Sequence, residues 1–192
     1  EDVDVNGLLR GLKDSLADVM PNLTTQQQEA VIAVIQANQA KQQEVRERAQ
    51  AAAEADRTVA AQKNLADAQS FLKENLTRVG VMSTASGLQY QVLVEGTGAA
   101  PSADANVRVH YEGKLLDGSI FDSSIARGEP AEFGLKQVIT GWTEGLQLMK
   151  QGGKMRLFIP PQLGYGPGGV RGIPPNALLI FEVELIEIKK PG

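Results

Sequence analysis

The side chains able to carry covalent or metal chemistry are few in this sequence of 192 residues. It contains no cysteine, one histidine (His110) and no G-x-S-x-G motif, which argues against a thiolate nucleophile, a hydrolytic triad and an imidazole metal site. A G-x-G-x-x-G pattern at residues 164–169 includes Pro167 and leaves no helix N-terminus for a phosphate. If the protein is an enzyme, we expect a reaction that needs neither a nucleophile nor a metal ion.

Two polar side chains, Asp122 and Tyr165, are candidates for a functional role on local grounds. Asp122 directly follows Phe121 in an apolar stretch, where a carboxylate needs a partner to be stable. We predict an ion pair with Arg127, five residues further on, that holds the loop after Phe121. Tyr165 lies between two glycines, and its alternative interpretation is a simple turn residue.

Net charge and hydropathy argue against further classes of protein. With 19 Lys and Arg against 23 Asp and Glu, the chain is mildly acidic, which disfavours a nucleic-acid partner. Its apolar runs are only a few residues long, so we expect no membrane-spanning segment. The chain begins at Glu1 rather than at Met, which is consistent with removal of a leader.

The composition changes near Gly80. Residues 1–79 contain two of the 20 glycines and one of the nine prolines, whereas the remainder is rich in both. This contrast predicts an α+β protein in which a helical module precedes a β module. We expect residues 1–40 to form a helical dimerisation module, residues 41–80 a long connecting helix, and residues 81–192 the β module.

The predicted long helix has signals at both ends and a polar middle. Thr25 with Gln28 fits a capping box, Arg78 lies in the predicted last turn, and Gly80 suits the left-handed position that ends a helix. Large apolar residues are sparse between positions 35 and 65, so we expect solvent around this part of the helix.

A shorter amphipathic helix is predicted over residues 6–18, where apolar residues recur at spacings of three and four. This helix and the apolar stripe at Val31, Val34 and Ile35 are too small to enclose a core by themselves. We therefore expect a second copy of the chain to cover them, which predicts a homodimer. The alternative is that residues upstream of Glu1 complete a bundle within one chain.

After Gly80 the hydrophobic period changes from 3.6 to 2. Four stretches alternate apolar and polar residues, and each predicts a half-buried antiparallel strand: residues 88–95, 107–112, 155–159 and 179–185. Residues 140–149 predict a short helix with Trp142, Leu146 and Met149 on one side. We expect an antiparallel sheet wrapped over this one helix.

Four strings in the β module resemble an FKBP-type peptidyl-prolyl isomerase domain, and they follow one another at the spacing of that family. They are VHYEGKLLDGSIFDSS (109–124), QVITGWTEGLQLMKQGGK (137–154), IPPQLGYG (159–166) and GIPPNALLIFEVELIEI (172–188). The resemblance covers nearly everything from position 86 to position 189. The preceding layout, a short and then a long helix, resembles the dimeric Mip/FkpA-like bacterial branch of the family.

The resemblance implies an apolar cleft that holds the proline of a peptide substrate. Trp142 would be its floor, and Tyr165 (hydroxyl), Ile139 (backbone N–H) and Asp122 (carboxylate) would act on the rotating amide. The implied substrate-binding residues, the last of them on a loop overhanging the cleft, are Tyr111, Phe121, Phe133, Val138, Phe181 and Ile173. Two departures from the family pattern, Ala131 and a shorter loop at residues 166–172, should alter ligand fit at the edge of the cleft.

The physics of such a reaction agrees with the missing nucleophiles. Rotation about an X–Pro bond faces a barrier of about 18–20 kcal/mol and takes tens to hundreds of seconds unassisted. A water-poor cleft weakens solvation of the planar amide, and donors placed for the rotated carbonyl favour the twisted state. A thousandfold acceleration requires only about 4 kcal/mol. No covalent step and no cofactor are needed.

Three hypotheses of function follow. The first is a proline isomerase that also holds unfolded, proline-containing polypeptides between the two arms of a dimer, and the resemblance adds macrolides such as rapamycin as ligands. The second is a non-catalytic holdase built on the same fold. The third, a coiled-coil spacer, is disfavoured because no heptad continues through the polar middle of the long helix. The resemblance implies a periplasmic or cell-envelope protein, and a cytoplasmic one is the alternative.

Overall fold

The computed structural model describes residues 24–189, so the helix predicted over residues 6–18 lies outside the described part. Contacts divide the chain into two compact units, Glu1–Ala55 and Asp56–Gly192. The three-part division at positions 40 and 80 stays a prediction. Within residues 24–189, no helix combines the length and the apolar character needed to cross a bilayer.

Helix α1 spans Thr25–Asn75. Its capping box lies one residue before the predicted pair, at Thr24 and Gln27: the Thr24 N–H donates to Gln27 Oε1 over 2.9 Å, and the Gln27 N–H to Thr24 Oγ1 over 3.4 Å. The helix ends three residues before Arg78, because the next residues turn. Gly80 has the predicted positive φ, 81°. In the polar middle, Val45 is 60% exposed, as expected for solvated helix.

The last turns of α1 pack against the sheet of the Asp56–Gly192 unit. Ala68 and Asn75 are buried, and the rings of Phe71 and Phe158 lie 5.8 Å apart between centroids. Asn75 Nδ2 donates to Gln89 Oε1 over 3.0 Å, and Gln89 Nε2 donates to the Leu72 carbonyl over 2.8 Å. Gln89 and Phe158 are therefore buried on the sheet face that strand alternation alone assigned to solvent, because α1 covers them.

The β module is one antiparallel sheet of seven strands. Its strands are β1 (Val81–Ser83), β2 (Gln89–Val94), β3 (Asn106–Lys114), β4 (Ile120–Ser123), β5 (Ala131–Gly134), β6 (Lys154–Ile159) and β7 (Leu179–Lys189). They lie in the order β1-β2-β6-β7-β3-β4, with β5 paired to β3. The four strands expected from alternation are all present. The short strands β1, β4 and β5 were missed, because three or four residues are too few to display a period.

Two helices interrupt the sheet. Helix α2, Ser124–Arg127, is capped by the Ser123 hydroxyl at its start and by Gly128, with a φ of 79°, at its end. Helix α3, Thr140–Gln147, ends two residues before the predicted position 149. The expected buried face of α3 is confirmed, since Trp142, Leu146 and the following Met149 are 4%, 0% and 2% exposed.

Helix α3 packs very close to β6, because two of its residues at the contact are glycines. A Cβ atom on Gly141 would stand 2.5 Å from Ile159, and one on Gly145 would stand 2.8 Å from Leu157. The sheet and α3 together enclose one apolar core, in which Leu146, Leu157 and Ile159 are fully buried. The predicted α+β fold, a long helix followed by an antiparallel sheet wrapped on a short helix, is confirmed.

Candidate active site

A cleft of about 430 Å³ opens between the sheet and the start of α3. Ten of the described residues line the cleft. Nine of them are candidate functional residues of the sequence analysis, and the tenth, Gln137, was not predicted. The lining residues are Tyr111, Phe121, Asp122, Phe133, Gln137, Val138, Ile139, Trp142, Tyr165 and Phe181. Gln137 could have been predicted as a lining residue, because it is adjacent to Val138 in a segment already assigned to the cleft.

The floor of the cleft is the indole of Trp142, which three aromatic rings surround edge-on. The ring centroids of Tyr111, Phe133 and Phe181 lie 5.2, 5.4 and 5.2 Å from that of Trp142, at interplanar angles of 89°, 81° and 82°. Edge-to-face pairs of this kind each contribute about 0.5–1.5 kcal/mol beyond the burial of their area. The floor is thus fixed from three sides.

The strand register explains how the rings come together. Phe181 on β7 pairs with Gly113 on β3. A Cβ atom on Gly113 would lie 2.6 Å from the Phe121 ring and 2.7 Å from the Phe181 ring. Because glycine occupies this position, Phe121 and Phe181 meet with their centroids 5.4 Å apart and form one wall of the cleft.

Asp122, Tyr111 and Arg127 form a closed triangle of hydrogen bonds at the edge of the cleft. The Tyr111 hydroxyl donates to one carboxylate oxygen of Asp122, and Arg127 donates to the other, in the ion pair expected from the sequence. Arg127 also donates to the Tyr111 oxygen over 2.9 Å and lies over the Tyr111 ring. Tyr111 therefore belongs both to the aromatic wall and to this polar triangle.

The triangle sets the charge of Asp122. Partial burial alone would raise the pKa of its carboxyl, but the hydrogen bonds from Tyr111 and Arg127 and the positive charge of Arg127 outweigh burial, so the pKa lies below its ordinary value. Burial and the bond to Asp122 raise the pKa of the Tyr111 hydroxyl. At neutral pH the cleft edge consequently carries an ionised carboxylate and a neutral phenol.

Two further residues with polar groups line the cleft from other elements. Ile139 immediately precedes α3, and its carbonyl accepts the Trp142 N–H over 2.9 Å. Within residues 24–189, the Ile139 N–H has no hydrogen-bond partner. Tyr165 precedes a 3₁₀ turn at Gly166–Gly168 and is 39% exposed.

One predicted substrate-binding residue, Ile173, is not among the residues that line this cleft. Its side chain is 7% exposed and belongs to the same apolar core as Tyr111, Trp142 and Phe181, and its backbone pairs with Val170. Its role in substrate binding stays a prediction. Arg127 does not line the cleft itself, but it contacts two residues that do, Asp122 and Tyr111.

The arrangement combines an apolar box with three polar groups at its edge. A box of this kind can exclude water from a small apolar ring placed on Trp142. The Asp122 carboxylate, the Tyr165 hydroxyl and the Ile139 N–H offer charge and donors to a polar group attached to that ring. Such a site can bind and polarise a planar amide, and the described residues contain no group of three His, Asp or Glu side chains placed to hold a metal ion.

Comparisons with known proteins agree with this geometry. Residues 98–186 match the family model described as FKBP-type peptidyl-prolyl cis-trans isomerase. Residues 1–92 match the one described as the domain amino terminal to FKBP-type peptidyl-prolyl isomerase. The crystal structure of FkpA from Escherichia coli has a TM-score of 0.74 and 39% identity, and the match covers 100% of this chain and 85% of that one.

Several curated relatives match almost the whole chain. The FKBP-type peptidyl-prolyl cis-trans isomerase FkpA of Escherichia coli (strain K12) is 43% identical over 187 residues, 97% of this chain and 65% of that protein. The outer membrane protein MIP of Legionella longbeachae is 38% identical over 190 residues, 98% of this chain and 77% of that protein. The chain spans about half to two thirds of the length of several curated relatives that it matches. By these matches, the chain belongs to the family of FKBP-type peptidyl-prolyl cis-trans isomerases.

Proposed function

We propose that this chain catalyses cis-trans isomerisation of X–Pro peptide bonds, with the proline ring seated on Trp142. The observation that carries the proposal is the aromatic box around Trp142 with polar groups only along one edge. A proline ring fills an apolar box of this kind, and its preceding amide then lies beside Asp122, Tyr165 and the Ile139 N–H. The remaining peptide stays in solvent, which suits a substrate recognised mainly by one residue.

Rotation of the bound amide needs no bond to break. In water, solvation of the planar, resonant amide helps to hold the barrier at about 18–20 kcal/mol. Seating the ring on Trp142 removes part of that solvent, and donors fixed before the reaction stabilise the carbonyl once it has rotated out of conjugation. The free N–H of Ile139 and the hydroxyl of Tyr165 are suited to this task.

Asp122 contributes a negative charge held in one place. The bonds from Tyr111 and Arg127 keep its carboxylate ionised and fix its orientation, so its charge needs no rearrangement when the amide twists. We propose that this fixed charge favours the twisted amide by acting on the carbonyl carbon, which becomes more positive when the nitrogen lone pair is no longer donated to it. The catalytic roles of Asp122, Tyr165, Ile139 and Trp142 are part of this proposal.

The assembly is a further proposal. The N-terminal family match and the apolar residues exposed near the start of α1 support a homodimer that uses two cleft-bearing arms on one unfolded polypeptide. A location in the periplasm or cell envelope follows from the same branch of relatives. Macrolides such as rapamycin are proposed ligands of the same cleft.

The activity is tested by a protease-coupled isomerisation assay on a short proline peptide. Asp122→Leu should lower kcat/KM at least tenfold, because it removes the fixed carboxylate, and rapamycin should inhibit the wild-type chain. Glu132→Leu is the matched control, since this exposed carboxylate on β5 pairs with Lys189 outside the cleft. Peptide binding without turnover in the wild type would identify a holdase and contradict the proposal, and full activity in a folded Asp122→Leu protein would remove Asp122 from the mechanism.

The charge of Asp122 is tested by a carbon-13 NMR titration of its carboxyl. The wild-type midpoint should lie below the ordinary value of 3.8, and Arg127→Ala should raise it, because one donor and one positive charge are lost. A depressed pKa stabilises the fold above the unfolded-state pKa, and this contribution is lost as the pH falls through the folded-state value. Lys189→Ala, which removes the partner of Glu132, should leave Asp122 unchanged; an equal or lower midpoint in Arg127→Ala would contradict the assignment.

The dimer is tested by light scattering with two matched valines of α1, Val34 and Val45, each 60% exposed in the single chain. The wild-type mass should be about twice the chain mass of 20.5 kDa. Val34→Glu places a charge in the proposed interface and should yield monomers, whereas Val45→Glu, in the polar middle, should not. A wild-type chain that is monomeric at high micromolar concentration would refute the dimer.

A further inference from the structure

The second half of α1 is hydrogen-bonded to the loop that follows Tyr165. We call residues 166–176 the rim loop. Arg57 on α1 donates to the Gly168 carbonyl, and Asn64 Nδ2 donates to the Pro175 carbonyl over 2.8 Å. In the opposite direction, Asn176 Nδ2 donates to the Ala61 carbonyl over 3.2 Å. All of these residues belong to the Asp56–Gly192 unit.

Asn176 connects α1 to the segment that carries Tyr165, one of the cleft residues. Its side chain bonds to α1, and its backbone N–H donates to the Gly166 carbonyl over 2.9 Å, next to Tyr165. Its φ is 53°, and among residues 24–189 no other residue except glycine has a positive φ. Asparagine tolerates this left-handed conformation better than most residues, and the surrounding bonds hold it there.

Tyr165 depends on such support because its neighbours give it none. It stands between Gly164 and Gly166, the latter with a φ of 61°, so no adjacent side chain packs to fix its backbone. The rim loop is tied across its tip by paired hydrogen bonds of 3.0 and 2.9 Å between Val170 and Ile173. The Asn176 N–H bonds back to the carbonyl of Gly166, the first residue of the loop, so the bonds from α1 at Gly168 and Asn176 restrain the segment next to Tyr165.

We propose that Asn176 is a positioning residue of the cleft, which uses α1 as a fixed support to hold the Tyr165 hydroxyl at the rotating amide. This inference rests on the isomerase function proposed above. It makes residues 57–64 of the long helix part of the catalytic unit rather than a mere connection. The sheet and α3 build the floor of the cleft, and the appended helix sets one side of its edge.

The test is a double-mutant cycle on kcat/KM in the peptide assay. Asn176→Gly removes the amide that reaches Ala61 but allows the same positive φ, so the backbone conformation stays accessible. Tyr165→Phe removes only the hydroxyl. We expect each single variant to lower kcat/KM about three- to tenfold, and the double variant to be no slower than Tyr165→Phe, because Asn176 acts through that hydroxyl.

If the losses in kcat/KM of the two single variants multiply in the double variant, Asn176 does not act through the Tyr165 hydroxyl, and the positioning role is overturned. A general structural defect would give this result. An unchanged rate in Asn176→Gly would overturn it as well. An inactive wild-type chain would instead refute the isomerase function on which the inference rests.

Two variants on α1 complete the test. Asn64→Ala breaks the neighbouring bond to Pro175 from the helix side, and it should lower kcat/KM in the same Tyr165-dependent manner. It carries the cycle alone if Asn176→Gly fails to fold. Lys63→Ala is the matched control, because Lys63 pairs with Asp67 on the helix itself; a loss equal to that of Asn64→Ala would contradict the proposal.

Discussion

The close approach of α3 to β6 is the constraint on which the rest of the site depends. Gly141 and Gly145 let the helix backbone lie directly on Ile159 and Leu157, with no room for a Cβ atom. This depth places Trp142 at the level of the sheet, where rings from three different strands reach it edge-on. With a larger residue at either glycine, the helix would stand further from the sheet, and the box around Trp142 would open to water.

Tyr111 connects this apolar box to the polar edge. Its ring packs against Trp142, and its hydroxyl is shared with Asp122 and Arg127. The position of the carboxylate thus follows from the packing of the floor. Tyr165 belongs to the same polar edge, and we propose that the bonds from α1 to the rim loop position it. In this proposal the site is preorganised in two ways, by the core under Asp122 and by the helix that supports the rim loop.

Most of the residues that line the cleft were named from the resemblance of four strings to the FKBP-type family, whereas only Asp122 and Tyr165 were singled out on local grounds. The partner of Asp122 followed from the cost of an unpaired carboxylate, and the face of α3 followed from helical spacing. Contacts between distant segments were not predictable. Strand alternation predicts that Gln89 and Phe158 face solvent. Both are buried, because α1 covers that face of the sheet.

Binding of a proline ring on Trp142 can be observed directly, because the chain has only this one tryptophan. Its fluorescence can be followed while a short peptide is added, with proline or with alanine at the same position. We expect a saturable change in Trp142 emission with the proline peptide, half-complete near the KM of the isomerisation assay, and little change with the alanine peptide. An active protein whose emission does not change, or responds equally to both peptides, would contradict it.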